Sequence, residues 1–229
     1  MGGTITHLVI ADKIIKKLPE GAISDTGMFY AGALAPDAIH ARKGYIRAMK
    51  KHTHLRTDIW DRDFIKPESR QLFHERLIEF IDSNNNKTGH LRDAYLGYVS
   101  HLLSDEVFVI TARQKLVDKL AGEGIGQRER EFIPKFAHDV HSNDNILSVN
   151  YPRLFEVRKI LETVEPFEIH GYVTTDEIER SRCWVISTFL ADNRSIGEPV
   201  YITRENISEY INQSVQYSID YMREHHLIP

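Results

Sequence analysis

Apolar residues recur every three or four positions along nearly the whole chain, and no stretch shows a convincing two-residue alternation. That pattern restricts the chain to packed helices. The first helix is expected over about Thr4–Leu18, with Leu8, Ile10, Ala11, Ile14, Ile15 and Leu18 on its apolar face and "LPEG" stopping it. "TGMFYAGALAPDAIH" reads as a short apolar helix that ends before Pro36. Residues 41–66 read as an irregular, ordered loop, and Pro67 as the first helical residue of "PESRQLFHERLIEFIDS".

A long helix is expected from about His90 to Leu120, ended by "AGEGIG", with shorter helices at 127–141 and 152–165. "TTDEIERSRCWVISTFLADN" opens on a capping box, Thr174 to Glu177. The last helix starts near Thr203 and carries Ile207, Tyr210, Ile211, Ser214, Tyr217 and Tyr221 at helical spacing. No repeat and no long linker interrupts the 229 residues, so one all-α domain spanning 1–229, a multi-helix bundle, is the expectation.

The balance of 29 basic against 33 acidic residues gives no nucleic-acid footprint, and no apolar run approaches a membrane span. The polar, amphipathic start does not read as a signal peptide, so a cytoplasmic protein is expected. The single Cys183 allows no internal disulfide and, in an apolar helical stretch, is expected to be buried. Oligomeric state leaves no mark on the sequence.

Some polar residues do not suit a core. In "YVSHLLSDEVF", His101 and Asp105 lie one turn apart on one face, flanked by Leu102, Leu103, Val107 and Phe108. The pair could hydrogen-bond locally, or it could grip a divalent ion. Other residues of the same kind recur elsewhere. His7 interrupts the apolar face of the first helix, and Asp37 follows Pro36 at a helix end. "KKHTHLRTD" offers His52 and His54, of which only one is expected to point inward. Converging imidazoles and carboxylates suit one zinc ion, or two sharing a carboxylate. Arg56 could hold a phosphate oxygen, or pair with Asp58 or Asp61 on the surface.

The elements "THLVIA" with His7, "GALAPD" with Asp37, "THLR" with His54 and "YVSHLLSDEVF" with His101 and Asp105 resemble the zinc-dependent phospholipase C family. That family includes the secreted bacterial phospholipases C, the N-terminal domain of clostridial alpha-toxin and that of glycosylphosphatidylinositol phospholipase D. The resemblance covers roughly the first half of the chain, in the family's order. It implies an all-helical fold, with Asp37, His54, His101 and Asp105 around one zinc and Asp105 bridging to a second held by His7. Asp37 would also be the catalytic residue that orients or deprotonates the attacking water.

The chain departs from the family in two respects. No Trp lies near its start to supply the N-terminal ligand of the secreted enzymes, and no His-x-x-x-Glu follows Asp105 to build their third site. One or two zinc ions are therefore expected, with His138 and His141 as further candidates. The implied activity is hydrolysis of a small phosphoester or a phospholipid headgroup. Two alternatives stand beside it. One is an HD-type metal phosphohydrolase built on His138 and Asp139. The other is a non-catalytic helical module stapled by a structural metal.

Overall fold

A computed structural model describes residues 2–190 and 197–229, and they form one all-helical unit. No strand occurs among the described residues; Ile169 and Val173 make an isolated bridge. The helices are α1 (Thr4–Lys17), α2 (Thr26–Leu34), α3 (Arg47–Thr53), α4 (Pro67–Asn84), α5 (Gly89–Ile110), α6 (Ala112–Gly122), α7 (Phe132–Asn150), α8 (Leu154–Glu162), α9 (Thr175–Trp184) and α10 (Arg204–Glu224). A 3-10 segment, Ala35–Ala41, extends α2, and a π-helical turn, Val185–Phe189, extends α9. Among the described residues, no helix is long and apolar enough to cross a membrane.

The bundle is organised round α5. Every residue from Asp93 to Val109 is buried, so this helix is enclosed on all sides rather than amphipathic. α2 lies along it, and α1 and α10 pack on its other flanks. Glycine makes the α2–α5 approach possible. A Cβ on Gly32 would stand 2.0 Å from the Ala94 carbonyl oxygen, and one on Gly97 would stand 2.1 Å from that of Phe29. Backbone against backbone at that range leaves room for hydrogen only.

Several helix ends are closed by carboxylates distant in sequence. α1 has no side-chain cap of its own. Asp144 of α7 replaces it, accepting from the backbone of Ile5 and Thr6 at 3.0 Å and from the Thr6 hydroxyl at 2.8 Å. Asp93 accepts from the backbone of Ser24 and Asp25 ahead of α2. Local caps occur where the sequence suggests them: Thr174 and Glu177 form the expected capping box, and Thr203 opens α10. Pro67 is the first residue of α4.

Four sequence expectations need correction. α2 ends at Leu34, before Pro36 as expected, but the short helix expected at 127–141 forms instead over Phe132–Asn150. The loop expected at 41–66 contains α3. The long helix breaks at Thr111, whose φ of -119° and ψ of -91° leave the helical region while its hydroxyl takes the Val107 carbonyl. Cys183 is exposed. α9 turns Ile178 and Arg182 inward, followed by Val185 at the start of the π-helical turn, which sends Cys183 outward. Residues 191–193, the end of the stretch read as helix, lie outside the described residues.

Candidate metal centre

Three imidazoles from three segments meet beside Asp105. His7 comes from α1, His54 from the end of α3 and His101 from the middle of α5, and each is almost fully buried. Each is anchored through Nδ1. His101 Nδ1 lies 2.8 Å from the Ala33 carbonyl oxygen, and His54 Nδ1 lies 2.9 Å from that of Lys50. A carbonyl only accepts, so both nitrogens carry the proton. Ser104 Oγ donates to the His101 carbonyl at 2.8 Å, so at 3.0 Å it accepts from His7 Nδ1. All three rings therefore present a bare Nε2 lone pair to one another.

Those lone pairs converge. His54 Nε2 and His101 Nε2 are 3.2 Å apart, and the His7 and His101 rings stack with centroids 3.8 Å apart. His7 Nε2 is buried with no hydrogen-bond partner. The Asp105 carboxylate stands among them, 3.5 Å from His7, 3.6 Å from His54 and 3.8 Å from His101. Asp105 Oδ1 also accepts from the backbone of Gly2 at 2.9 Å. Asp37, in the 3-10 segment, lies 3.3 Å from His54 Nε2 and 2.5 Å from Lys50 Nζ. Lone pairs and carboxylates facing one another repel unless a cation lies between them. Two groups have metal-binding spacing: His7 with His101 and Asp105, and Asp37 with His54 and His101. This nitrogen and oxygen donor set, with each ring oriented by an outer partner, fits zinc.

Burial pushes Asp37 upward, but Lys50 and His54 outweigh it and hold the carboxyl well below its usual range. Burial lowers His54 to about 4, against the opposing pull of Asp37. Burial, with His7 adding to it, also takes His101 well below the ordinary histidine value. Asp37 and Asp105 are thus held anionic and His54 and His101 neutral, the forms that bind a metal.

A pH prediction follows from His54. In the unfolded chain a histidine gains its proton near ~6.5. Between that value and about 4 the unfolded state binds more protons than the fold, so stability falls as pH drops through this window. Metal-free protein is expected to melt at clearly lower temperature at pH 5 than at pH 7.5. Equal melting temperatures would contradict a neutral, buried His54.

Arg56, for which a surface pair was one reading, is buried. It donates to Asp105 Oδ2 at 3.4 Å and lies over the Phe64 ring at 4.7 Å. Asp61 pairs instead with Arg47, at 2.7 Å. One of the two neighbouring histidines points inward, as expected, because residues two apart on a helical turn lie roughly 200° apart. His52 faces out, stacked on Tyr172. Leu55, at φ 55°, then bends the chain so that Arg56 also turns toward the centre.

His138 and Asp139 do not join. Asp139 is occupied by the backbone N–H groups of Val200, Tyr201 and Ile202, and His138 leans on it from a half-exposed position. That geometry gives the HD-type alternative no metal group among the described residues. His141 lies on the cavity rim. Lys50 escaped the sequence reading, although its place four residues before His54 was a usable signal.

The cluster lies between two cavities. One, of about 570 Å³, is lined by His7, Asp37, His101, Ala33, Trp184 and Phe189. The other, of about 430 Å³, is lined by Lys50 and Arg56 among others, and the two share Gly2, His40, Val140 and His141. Both volumes suit small-molecule ligands. No protein-family model, curated protein or solved structure matches the chain.

Proposed function

We propose that the protein is a zinc-dependent phosphoester hydrolase of the phospholipase C type. The observation that carries this reading is the convergence of three anchored, unprotonated Nε2 atoms on Asp105 at the wall of a ligand-sized cavity. The order of His7, Asp37, His54, His101 and Asp105 along the chain, which resembles that family, supports it. These residues would hold one or two ions. Zinc there would supply an activated water near neutral pH and positive charge for the phosphate oxygens.

The chain's own groups take the remaining roles. Asp37 is the one cluster carboxylate open to a cavity, with its side chain 21% exposed, so it is placed to orient the attacking water by accepting its hydrogen bond. Lys50 holds that carboxylate in position and keeps it ionised. Arg56 presents its guanidinium at the second cavity, where it can hold a phosphate oxygen while steadying Asp105. Ala33, Leu34, Val185 and Phe189 give the first cavity apolar walls for the organic part of a small phosphoester or a lipid headgroup. The lone Cys183 is consistent with a reducing, cytoplasmic setting.

Elemental analysis of untagged protein, with hydrolysis of bis(4-nitrophenyl) phosphate, tests the reading. One or two zinc ions per chain are expected, with activity lost on chelation and regained on adding zinc. Metal-dependent melting without hydrolysis would overturn the enzyme and leave a metal that only staples helices. Absence of bound metal, before and after adding zinc, would overturn both.

A further inference from the structure

We infer that the substrate carries a second phosphate group, seated in the basic cavity next to the metal centre. The inference rests on the hydrolase reading for its reaction and on the second cavity for its specificity. Arg47, Lys50, Lys51, Arg56 and Arg113 line that cavity, against the single carboxylate of Asp61. Burial pushes Asp61 up, yet Arg56 and Arg47 outweigh it and hold its pKa at about 2. The cations that reach carboxylates leave two over. Arg47 pairs with Asp61, Lys50 with Asp37 and Arg56 with Asp105.

Lys51 and Arg113 pair with no carboxylate among the described residues. Lys51 Nζ lies 3.9 Å over the exposed Trp60 ring. Arg113, half-buried, donates to Gln127 at 2.7 Å and lies 5.7 Å from the centre of the Phe132 ring. Burial pushes the Arg113 pKa down; Asp61 opposes this, and Arg56 and Arg47 reinforce it. Holding a partly desolvated guanidinium among other cations is costly unless an anion offsets it.

The scissile phosphate does not account for these two residues. Unlike Arg56 and Lys50, which ion-pair with Asp105 and Asp37, they line the second cavity with no ion pair to the metal cluster among the described residues. A second phosphate, separated from the first by a short carbon framework, matches both positions. In the reaction the water oxygen bonds to the first phosphorus, the P–O bond to the alcohol breaks, and the alcohol leaves with a proton. The second phosphate is unchanged and serves as a handle.

The test is calorimetric titration of fructose 1,6-bisphosphate and fructose 6-phosphate into metal-free protein, which cannot turn them over, and into zinc-loaded protein. The bisphosphate is expected to bind at least ~10-fold more tightly, an advantage that shrinks with added salt. Lys51→Gln with Arg113→Gln is expected to erase the advantage and leave zinc content and fructose 6-phosphate affinity within about twofold. Dioctanoyl phosphatidylinositol 4-phosphate against dioctanoyl phosphatidylinositol repeats the comparison on a lipid framework. A preference in either pair supports the inference and identifies the source of the second phosphate. Equal affinities in both pairs, or an advantage that survives the double substitution, would overturn it. Bisphosphate preference without hydrolysis would instead remove the hydrolase and leave the binding site.

Discussion

Asp105→Asn is expected to empty the metal centre. Its two oxygens face different parts of the cluster. Oδ1 is turned to His7 and the Gly2 backbone, while Oδ2 is turned to His54, His101 and Arg56. Among the described residues no other carboxylate pairs with all three imidazoles. An amide keeps the shape but not the charge, and its NH2 group would face lone pairs or the Arg56 donors. Loss of an outer partner alone costs ~10–100-fold in metal affinity, so loss of this carboxylate is expected to exceed ~10²-fold and, with it, to abolish the phosphoesterase activity proposed above.

His7→Ala provides a graded comparison. It removes one group of ligands and leaves Asp37, His54 and His101 together, so about half the zinc of a two-ion protein should remain. Zinc content measured after dialysis against weak chelator separates the cases. Retention of full zinc by Asp105→Asn would show that the cluster is not where the metal binds.

Gly97→Ala is expected to destabilise the fold by about 3 kcal/mol, the upper end of ordinary overpacking costs. The added Cβ would meet the Phe29 carbonyl oxygen at 2.1 Å and the Ala33 backbone nitrogen at 2.8 Å, and neither can rotate away as a side chain could. α2 and α5 must separate to admit it. For a domain of this length the melting temperature should fall by about 10 °C. The effect reaches the metal centre, since His101 is anchored to the Ala33 carbonyl across the same interface. Zinc affinity should therefore fall along with stability. Gly122→Ala, at a site with nothing within 4 Å, is the control and should be neutral or slightly stabilising. A Gly97→Ala protein that melts within about 2 °C of the wild type would show that the two backbones can part at little cost.

Much of the centre could be read in advance because its parts lie in short local patterns. The i, i+4 spacing of His101 and Asp105 puts them on one face whatever the helix packs against, and His7 is conspicuous in an apolar stripe. The anchors were less accessible. Ser104 and the Ala33 carbonyl are ordinary in sequence and acquire their roles only by proximity to an imidazole. Asp139 looks like a site residue beside His138, but its carboxylate is taken up by backbone amides about sixty residues away.

Most of the helices, many of their ends and the side chains able to bind a metal are legible in local sequence. Those follow from local spacing, capping chemistry and the cost of placing imidazole or carboxylate among apolar residues. Tertiary structure alone decided which of those side chains meet. It brings His7 within reach of Ser104, 97 residues away, and His54 within reach of His101, 47 residues away. It also turns His54 inward and His52 outward, breaks the long helix at Thr111, exposes Cys183 and gathers Lys51 and Arg113 at one cavity. Local spacing sets which way a residue faces on its own helix. What it faces depends on how the helices pack, and here that depends on how closely two glycines let α2 approach α5.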